Sequence, residues 1–355
     1  MLMVLAWHFV GAIIETDLGW WASAIKNIAV LGRTGVDMFF VLSGYLITRI
    51  ILARTQGQSV FLAAFYAKRI LRIFPPYFLL VGIFWGVIWS GVENAVFNDD
   101  TPFWRHLTFT QNFWMSDTAN WGPGGISVTW SVAIEEQYYL VFPLLVLALP
   151  RSWLPATLCL IAAGSILCRA VLYTMHPDNA FLSYVMTFSR LDGLAVGGLI
   201  AWSFTNAGAQ SWLHSNRTRL ETWLRFLFGG VLLLAVAIKH NLAANMFYWG
   251  HTYLTVLYGL VLIVLVLNSG TQNAMVRWLR SSWMAFFGRT SYSVYLFHPL
   301  ILSVAFLAAA KPEKINSLFS AGLSALAFLI TLVFCAALYR WFEKPILSYG
   351  ARWKY

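Results

Sequence analysis

Long apolar runs recur along the chain, each broken from the next by a short polar or cationic segment. A membrane-spanning helix needs roughly 20 mostly apolar residues. Ten runs approach or meet that length, at 1–14, 34–53, 70–92, 126–149, 153–174, 186–206, 223–239, 250–268, 285–309 and 317–339. The pattern predicts an all-α, polytopic integral membrane protein of about ten transmembrane helices. A single domain is expected over residues 1–355, with no appended soluble domain, low-complexity tract or convincing internal repeat.

Composition sharpens this. The chain is 59% hydrophobic and 11% charged, against roughly 45–50% and about 25% in soluble domains, which excludes a water-soluble globule. The three cysteines, Cys159, Cys168 and Cys335, sit inside apolar runs and do not read as a disulfide scaffold. No metal site is expected. The net charge of +10 lies in patches between apolar runs, so it marks positive-inside topology rather than a nucleic-acid surface.

If the segment between the second and third runs is cytoplasmic, that side gathers 16 cations against Glu221 and Glu343, while the other side carries six cations against eight acids. Both termini are then expected in the cytoplasm. The first run is short: fourteen residues rise only about 21 Å as a helix, less than the ~30 Å hydrocarbon core. It also lacks a cationic start, so the natural helix is expected to begin upstream of Met1. The longest connection, 93–125, mixes Glu93, Asp99, Asp100 and Asp117 with Phe103, Trp104, Phe109, Phe113, Trp114 and Trp121. Aromatic faces beside carboxylates suit sugars, although interfacial Trp also serves as a membrane anchor.

A charged group at mid-membrane costs roughly 2.5–3.5 kcal/mol on insertion scales, so each needs a partner or a function. His8, Asp37, Glu135, Glu136, Arg169, Arg190, Asp192 and His298 fall inside apolar runs. An imidazole suits a general base at neutral pH. Arg69 and Arg72, three apart before Pro75-Pro76-Tyr77, share a helix face at the cytosolic lip, as topological anchors or as a guanidinium fork for phosphate. Ser131, Glu135 and Tyr138/Tyr139 make one polar stripe, and the adjacent Glu135 and Glu136 point about 100° apart. Asp37 is positioned to pair with Arg33, four residues earlier, and Arg190 with Asp192 or a carboxylate on another helix. His298-Pro299 predicts a break in the ninth run.

Taken together, these phrases resemble membrane acyltransferase family 3, many-spanning enzymes that move acyl groups from acyl-CoA to hydroxyls of cell-surface sugars. The similar motifs are Gly35-Val36-Asp37-Met38-Phe39-Phe40-Val41-Leu42-Ser43-Gly44-Tyr45, Arg69/Arg72, and Trp130-Ser131 through Glu135-Glu136-Gln137-Tyr138-Tyr139. Arg190-Leu191-Asp192-Gly193, Ser291-Tyr292-Ser293-Val294-Tyr295-Leu296-Phe297-His298-Pro299 and Phe342-Glu343-Lys344-Pro345 follow in the family's order. In that family an Arg precedes the first-helix His by eleven positions. His8 matches the His, and the Arg would fall just upstream of Met1, agreeing with the short first run.

The resemblance implies O-acyl transfer, typically of acetyl, to a polysaccharide, lipopolysaccharide or glycolipid in a bacterial cytoplasmic membrane. Acyl-CoA, above all acetyl-CoA, is the co-substrate, with no bound cofactor. Arg69 and Arg72 would hold CoA phosphates. His8 would deprotonate the acceptor or carry the acyl group, with Glu135 orienting it and Ser43 a candidate relay hydroxyl. Asp37, Trp130, Glu136, Tyr139, Arg190, Asp192 and His298 would line the cavity or its acceptor side. A transporter or flippase of lipid-linked sugars is the rival reading, and an inactive structural membrane partner is a second.

Overall fold

The computed structural model describes residues 1–55, 57–91, 94, 96–98, 100–237 and 246–353. The expected loop acids Glu93 and Asp99, and the cations Lys239 and Lys354, lie outside them. Among the described residues the chain is helical, with no strand beyond one isolated bridge between Ile14 and Ile315.

The elements follow the apolar runs. Helix α1 covers Leu2–Gly11 and widens to π geometry over Trp7–Gly11. Next come α2 (Trp20–Ala29), α3 (Gly35–Leu52) and α4 (Gln58–Trp89). Short helices α5 (Phe103–Leu107) and α6 (Gln111–Thr118) precede α7 (Thr129–Ala148) and α8 (Leu154–Met175). They are followed by α9 (Ala180–Val185), α10 (Leu191–Ser203), α11 (Ala207–Ser215) and α12 (Arg217–Ala237). The chain continues through α13 (His251–Leu267), α14 (Ala274–Leu279), α15 (Ser282–Ala308), α16 (Leu318–Leu338) and α17 (Lys344–Gly350).

Among the described residues, seven helices are long and apolar enough to cross a membrane, against the ten runs read from the sequence. The sixth run yields only the 13-residue α10, which rises about 20 Å and falls short of the hydrocarbon thickness. The first run gives the still shorter α1, Leu2–Gly11. The seventh run lies within and just beyond α12, whose opening turns are polar and cationic. The third run begins earlier than expected: α4 starts at Gln58, so Arg69 and Arg72 stand inside a 32-residue helix rather than at its lip.

The expected break at Pro299 does not occur, and α15 runs through it. Proline removes the N–H that would bond the carbonyl four residues back, that of Tyr295. The His298 ring supplies the replacement, with Nδ1 2.8 Å from the Tyr295 carbonyl oxygen and 3.0 Å from that of Val294.

Helices α3 and α10 form the centre and touch backbone to backbone. A Cβ on Gly44 would stand 1.9 Å from the Leu194 carbonyl oxygen, and one on Gly197 would stand 2.0 Å from that of Val41. Small residues permit this approach in membrane bundles. Helices α8 and α13 flank α10, α15 pairs with α16, and α17 returns against α4. The short α1 lies along residues 29–35, where a Cβ on Gly32 would meet the Met3 carbonyl oxygen at 2.1 Å.

Candidate active site

Two histidines from opposite ends of the sequence meet. The rings of His8 and His298 lie edge to face, centroids 4.7 Å apart. In each, Nδ1 lies 3.0 Å from a carbonyl oxygen one turn back, Val4 for His8 and Val294 for His298. A carbonyl only accepts, so each Nδ1 carries the proton and, in the neutral ring, Nε2 keeps its lone pair. The His298 Nε2 is buried with no hydrogen-bond partner among the described residues. His8 lies inside the π-helical turn, a distortion frequent at functional sites.

Tyr295, one turn before His298, links this pair to the polar stripe of α7. Its ring lies 6.0 Å from His298, and its hydroxyl is 2.6 Å from Ser131 Oγ. One turn further along α7, Glu135 Oε1 accepts from Ser43 Oγ of α3 at 2.7 Å, and Tyr139 bonds the same carboxylate. The expected pairing of Glu135 with His8 is therefore replaced. The nitrogen a carboxylate would orient is held by the Val4 carbonyl, and the carboxylate is held by Ser43. Glu136 points elsewhere, as the 100° offset requires, with Oε1 buried and without a hydrogen-bond partner among the described residues.

Arg69 connects this cluster to an open pocket. Its guanidinium lies 5.9 Å over the Tyr139 ring and 5.6 Å over Phe65. Lys68, Arg69, Leu71, Arg72, Leu347, Gly350 and Ala351 line a cavity of about 300 Å³. The spacing of Arg69 and Arg72 foretold the shared face, whereas the wall from α17 and the following Ala351 is a tertiary contribution. Ser293 Oγ donates to Glu343 Oε1 at 2.5 Å, fixing the segment that leads into α17.

The buried charges of α3, α8 and α10 neutralise one another across helices. Arg190 Nη2 donates to Asp37 Oδ1 at 2.8 Å, and His251 Nδ1 donates to the same oxygen at 3.1 Å. Arg169 pairs with Asp192 at 3.0 Å and also bonds Ser189, Phe247 and Thr252. Asp37 thus pairs with Arg190 and not with Arg33. A side chain at the start of α3 faces α10 and α13, whereas Arg33 precedes the helix on a 3₁₀ turn. Of the two options for Arg190, the carboxylate on another helix is the one realised. His251 carried no motif, and only its lone position at the head of an apolar run marked it.

The aromatic residues divide into two groups. Phe109 stacks on Tyr77 at 4.4 Å and Phe103 packs against Trp85, so these brace α4. Trp121 instead meets Trp130, Phe181 and Tyr184 at 4.7–6.4 Å. Trp130 also packs on Tyr184 and Phe40. Arg33 lies 5.6 Å over the Trp7 ring and 5.7 Å over Tyr184. Tyr184 went unnoticed in the sequence because nothing in its local pattern separates it from packing aromatics.

A helical bundle with apolar crossing helices, a central histidine pair and a cationic pocket defines a membrane-embedded protein with a polar interior. The chain belongs to acyltransferase family 3: that family's profile, described as an acyltransferase domain, matches residues 1–340. It is 28% identical over 350 residues to "Putative peptidoglycan O-acetyltransferase YrhL" of Bacillus subtilis (strain 168), covering 92% of this chain and 52% of the relative. It is 24% identical over 335 residues to "O-acetyltransferase OatA" of Staphylococcus aureus (strain NCTC 8325 / PS 47), covering 90% and 53%. The chain spans about half the length of these curated relatives. No solved structure matches it.

Proposed function

We propose that the chain is an O-acetyltransferase that moves acetyl from cytosolic acetyl-CoA to a hydroxyl of an envelope carbohydrate such as peptidoglycan. The carrying observation is the placement of a cationic pocket and a histidine pair on one connected polar path: Lys68, Arg69 and Arg72, then Glu135–Ser43, then Ser131–Tyr295, then His298–His8. Arginine forks bind phosphate bidentately, so the pocket is assigned to the CoA phosphates. The strong cation bias supports a cytosolic side for this pocket and for both termini.

In the reaction, His8 Nε2 takes the proton of the acceptor hydroxyl as that oxygen attacks the thioester carbonyl. The C–O bond forms, the C–S bond breaks, and the thiolate of CoA leaves to be protonated by the imidazolium. His298 holds the His8 ring through its edge. Glu135 fixes Ser43 and Tyr139 beneath the transfer point, so their role is positional. Asp37, Arg190 and Asp192 lock the helices that carry the site, and Trp130 forms part of the acceptor wall.

The test is transfer of radiolabelled acetyl from acetyl-CoA to a glycan acceptor by protein in nanodiscs. His8→Ala should abolish transfer while the protein still inserts. Arg69→Lys and Arg72→Lys should raise the KM for acetyl-CoA without altering topology, because they keep charge and lose the fork. A well-folded wild type that transfers no label, yet moves lipid-linked sugar between leaflets, would establish the transporter reading instead.

A further inference from the structure

Arg33 stands apart from the other cations of the site. Three guanidiniums, those of Arg33, Arg169 and Arg190, surround this end of α3 and α10 against two carboxylates, Asp37 and Asp192. Both carboxylates are taken, by Arg190 and Arg169. Arg33 is exposed and has no carboxylate partner among the described residues. It is nonetheless held, with its guanidinium over the rings of Trp7 and Tyr184. Stacking on aromatic faces fixes the guanidinium plane while leaving its N–H edge open to a bidentate acceptor.

A second observation points to the same place. Arg190 also lies over Tyr184, at 5.3 Å, and although it is only 1% exposed, its Nε and Nη1 have no hydrogen-bond partner among the described residues. The surroundings of Tyr184 are thus richer in donors than the protein itself uses. Trp7 is the neighbour of His8 in the π turn, so this positive edge adjoins the proposed base. Trp121, 5.7 Å from Tyr184, adds an apolar face of the kind that a sugar ring covers.

We infer that Arg33 is an acceptor-binding residue and that the acceptor is an anionic glycan, whose carboxylate or phosphate group docks on the Arg33 fork while its hydroxyl reaches His8. The inference rests on the O-acyl transfer reading for the role of His8, whereas the binding it describes can be measured without turnover.

The experiment is equilibrium binding to the full chain in nanodiscs. The probes are a tetrasaccharide of alternating glucuronate and N-acetylglucosamine, its carboxyl-reduced counterpart, and a glycerol-phosphate oligomer. Wild type should bind one of the anionic probes roughly tenfold tighter than the neutral one, a preference weakened by salt, and which anion is preferred separates carboxylate from phosphate. Arg33→Gln should lose the preference and Arg33→Lys should keep part of it. Arg105→Gln should keep all of it, because Arg105 is likewise stacked, 4.6 Å over Trp104, but on another helix. Unchanged acetyl-CoA binding by Arg33→Gln verifies its fold. Equal binding of anionic and neutral probes by wild type, or a preference that survives in Arg33→Gln, overturns the inference. If wild type shows the Arg33-dependent preference but transfers no acetyl label, the acyl-transfer reading alone has failed.

Discussion

His8 and His298, 290 positions apart in sequence, meet edge to face with ring centroids 4.7 Å apart. Each ties its Nδ1 to a carbonyl one turn back. In the proposed mechanism the two rings serve different ends, His8 presenting Nε2 and His298 packing against the His8 ring. His298→Asn should lower acetyl transfer by roughly 10²-fold or more, the range for a disturbed general base, with acetyl-CoA binding intact. A single-turnover assay on nanodisc protein checks this, and normal turnover would remove His298 from the site.

The Ser43–Glu135 bond joins α3 to α7 inside the membrane. Removing the donor in Ser43→Ala should destabilise the folded protein by about 1–2 kcal/mol, the scale of interhelical hydrogen bonds in bilayers. Ser43→Thr, which keeps the hydroxyl, should recover most of it. Thermal unfolding in detergent reads the difference, and identical melting of Ser43→Ala and wild type would show that the bond is not stabilising.

Contact between α3 and α10 depends on the missing side chains of Gly44 and Gly197. A methyl at either position would lie 1.9–2.0 Å from a backbone carbonyl oxygen, so the helices must separate. Gly44→Ala and Gly197→Ala should each destabilise by about 3 kcal/mol or more, at the upper end of overpacking. Gly164→Ala, where nothing lies within 4 Å, should instead stabilise α8 by about 0.5–1 kcal/mol. Size-exclusion recovery after heating distinguishes the three. Tolerance at Gly44 would mean that α3 and α10 sit further apart.

Outside the spans, Glu313 accepts from Ser303 at 2.6 Å, beside the Lys314–Glu15 ion pair. Partial desolvation holds its carboxyl above the ordinary glutamate range, with the Ser303 bond opposing the shift. A carboxyl raised in the folded state is protonated in both states at low pH. As pH rises, the unfolded chain ionises first, so the fold loses stability until the folded carboxyl ionises too. Glu313→Gln should therefore melt as wild type does at pH 4 and higher than wild type at pH 8. A wild-type advantage at pH 8 would reverse the assignment.

The sequence by itself determined that the protein is all-helical and membrane-embedded, because apolar runs near 20 residues have one stable solution in lipid. It also marked the candidate site residues, since a charge in an apolar run is conspicuous: His8, Asp37, Glu135, Arg190, Asp192 and His298 all stand out in this way. The shared face of Arg69 and Arg72 was legible because i,i+3 spacing is local. Partner choice was not. Asp37 had a neighbour four residues away in Arg33, but it bonds Arg190 and His251 from elements more than 150 positions distant. Glu135 bonds Ser43 rather than His8, because helix packing sets which faces meet. Likewise Pro299 signalled a broken helix, yet α15 runs through it, and the freed Tyr295 carbonyl is bonded by the His298 ring. What is repeated along one helix can be read from spacing; what two helices bring together depends on their crossing, and here that crossing is decided by glycines that let α3 and α10 touch.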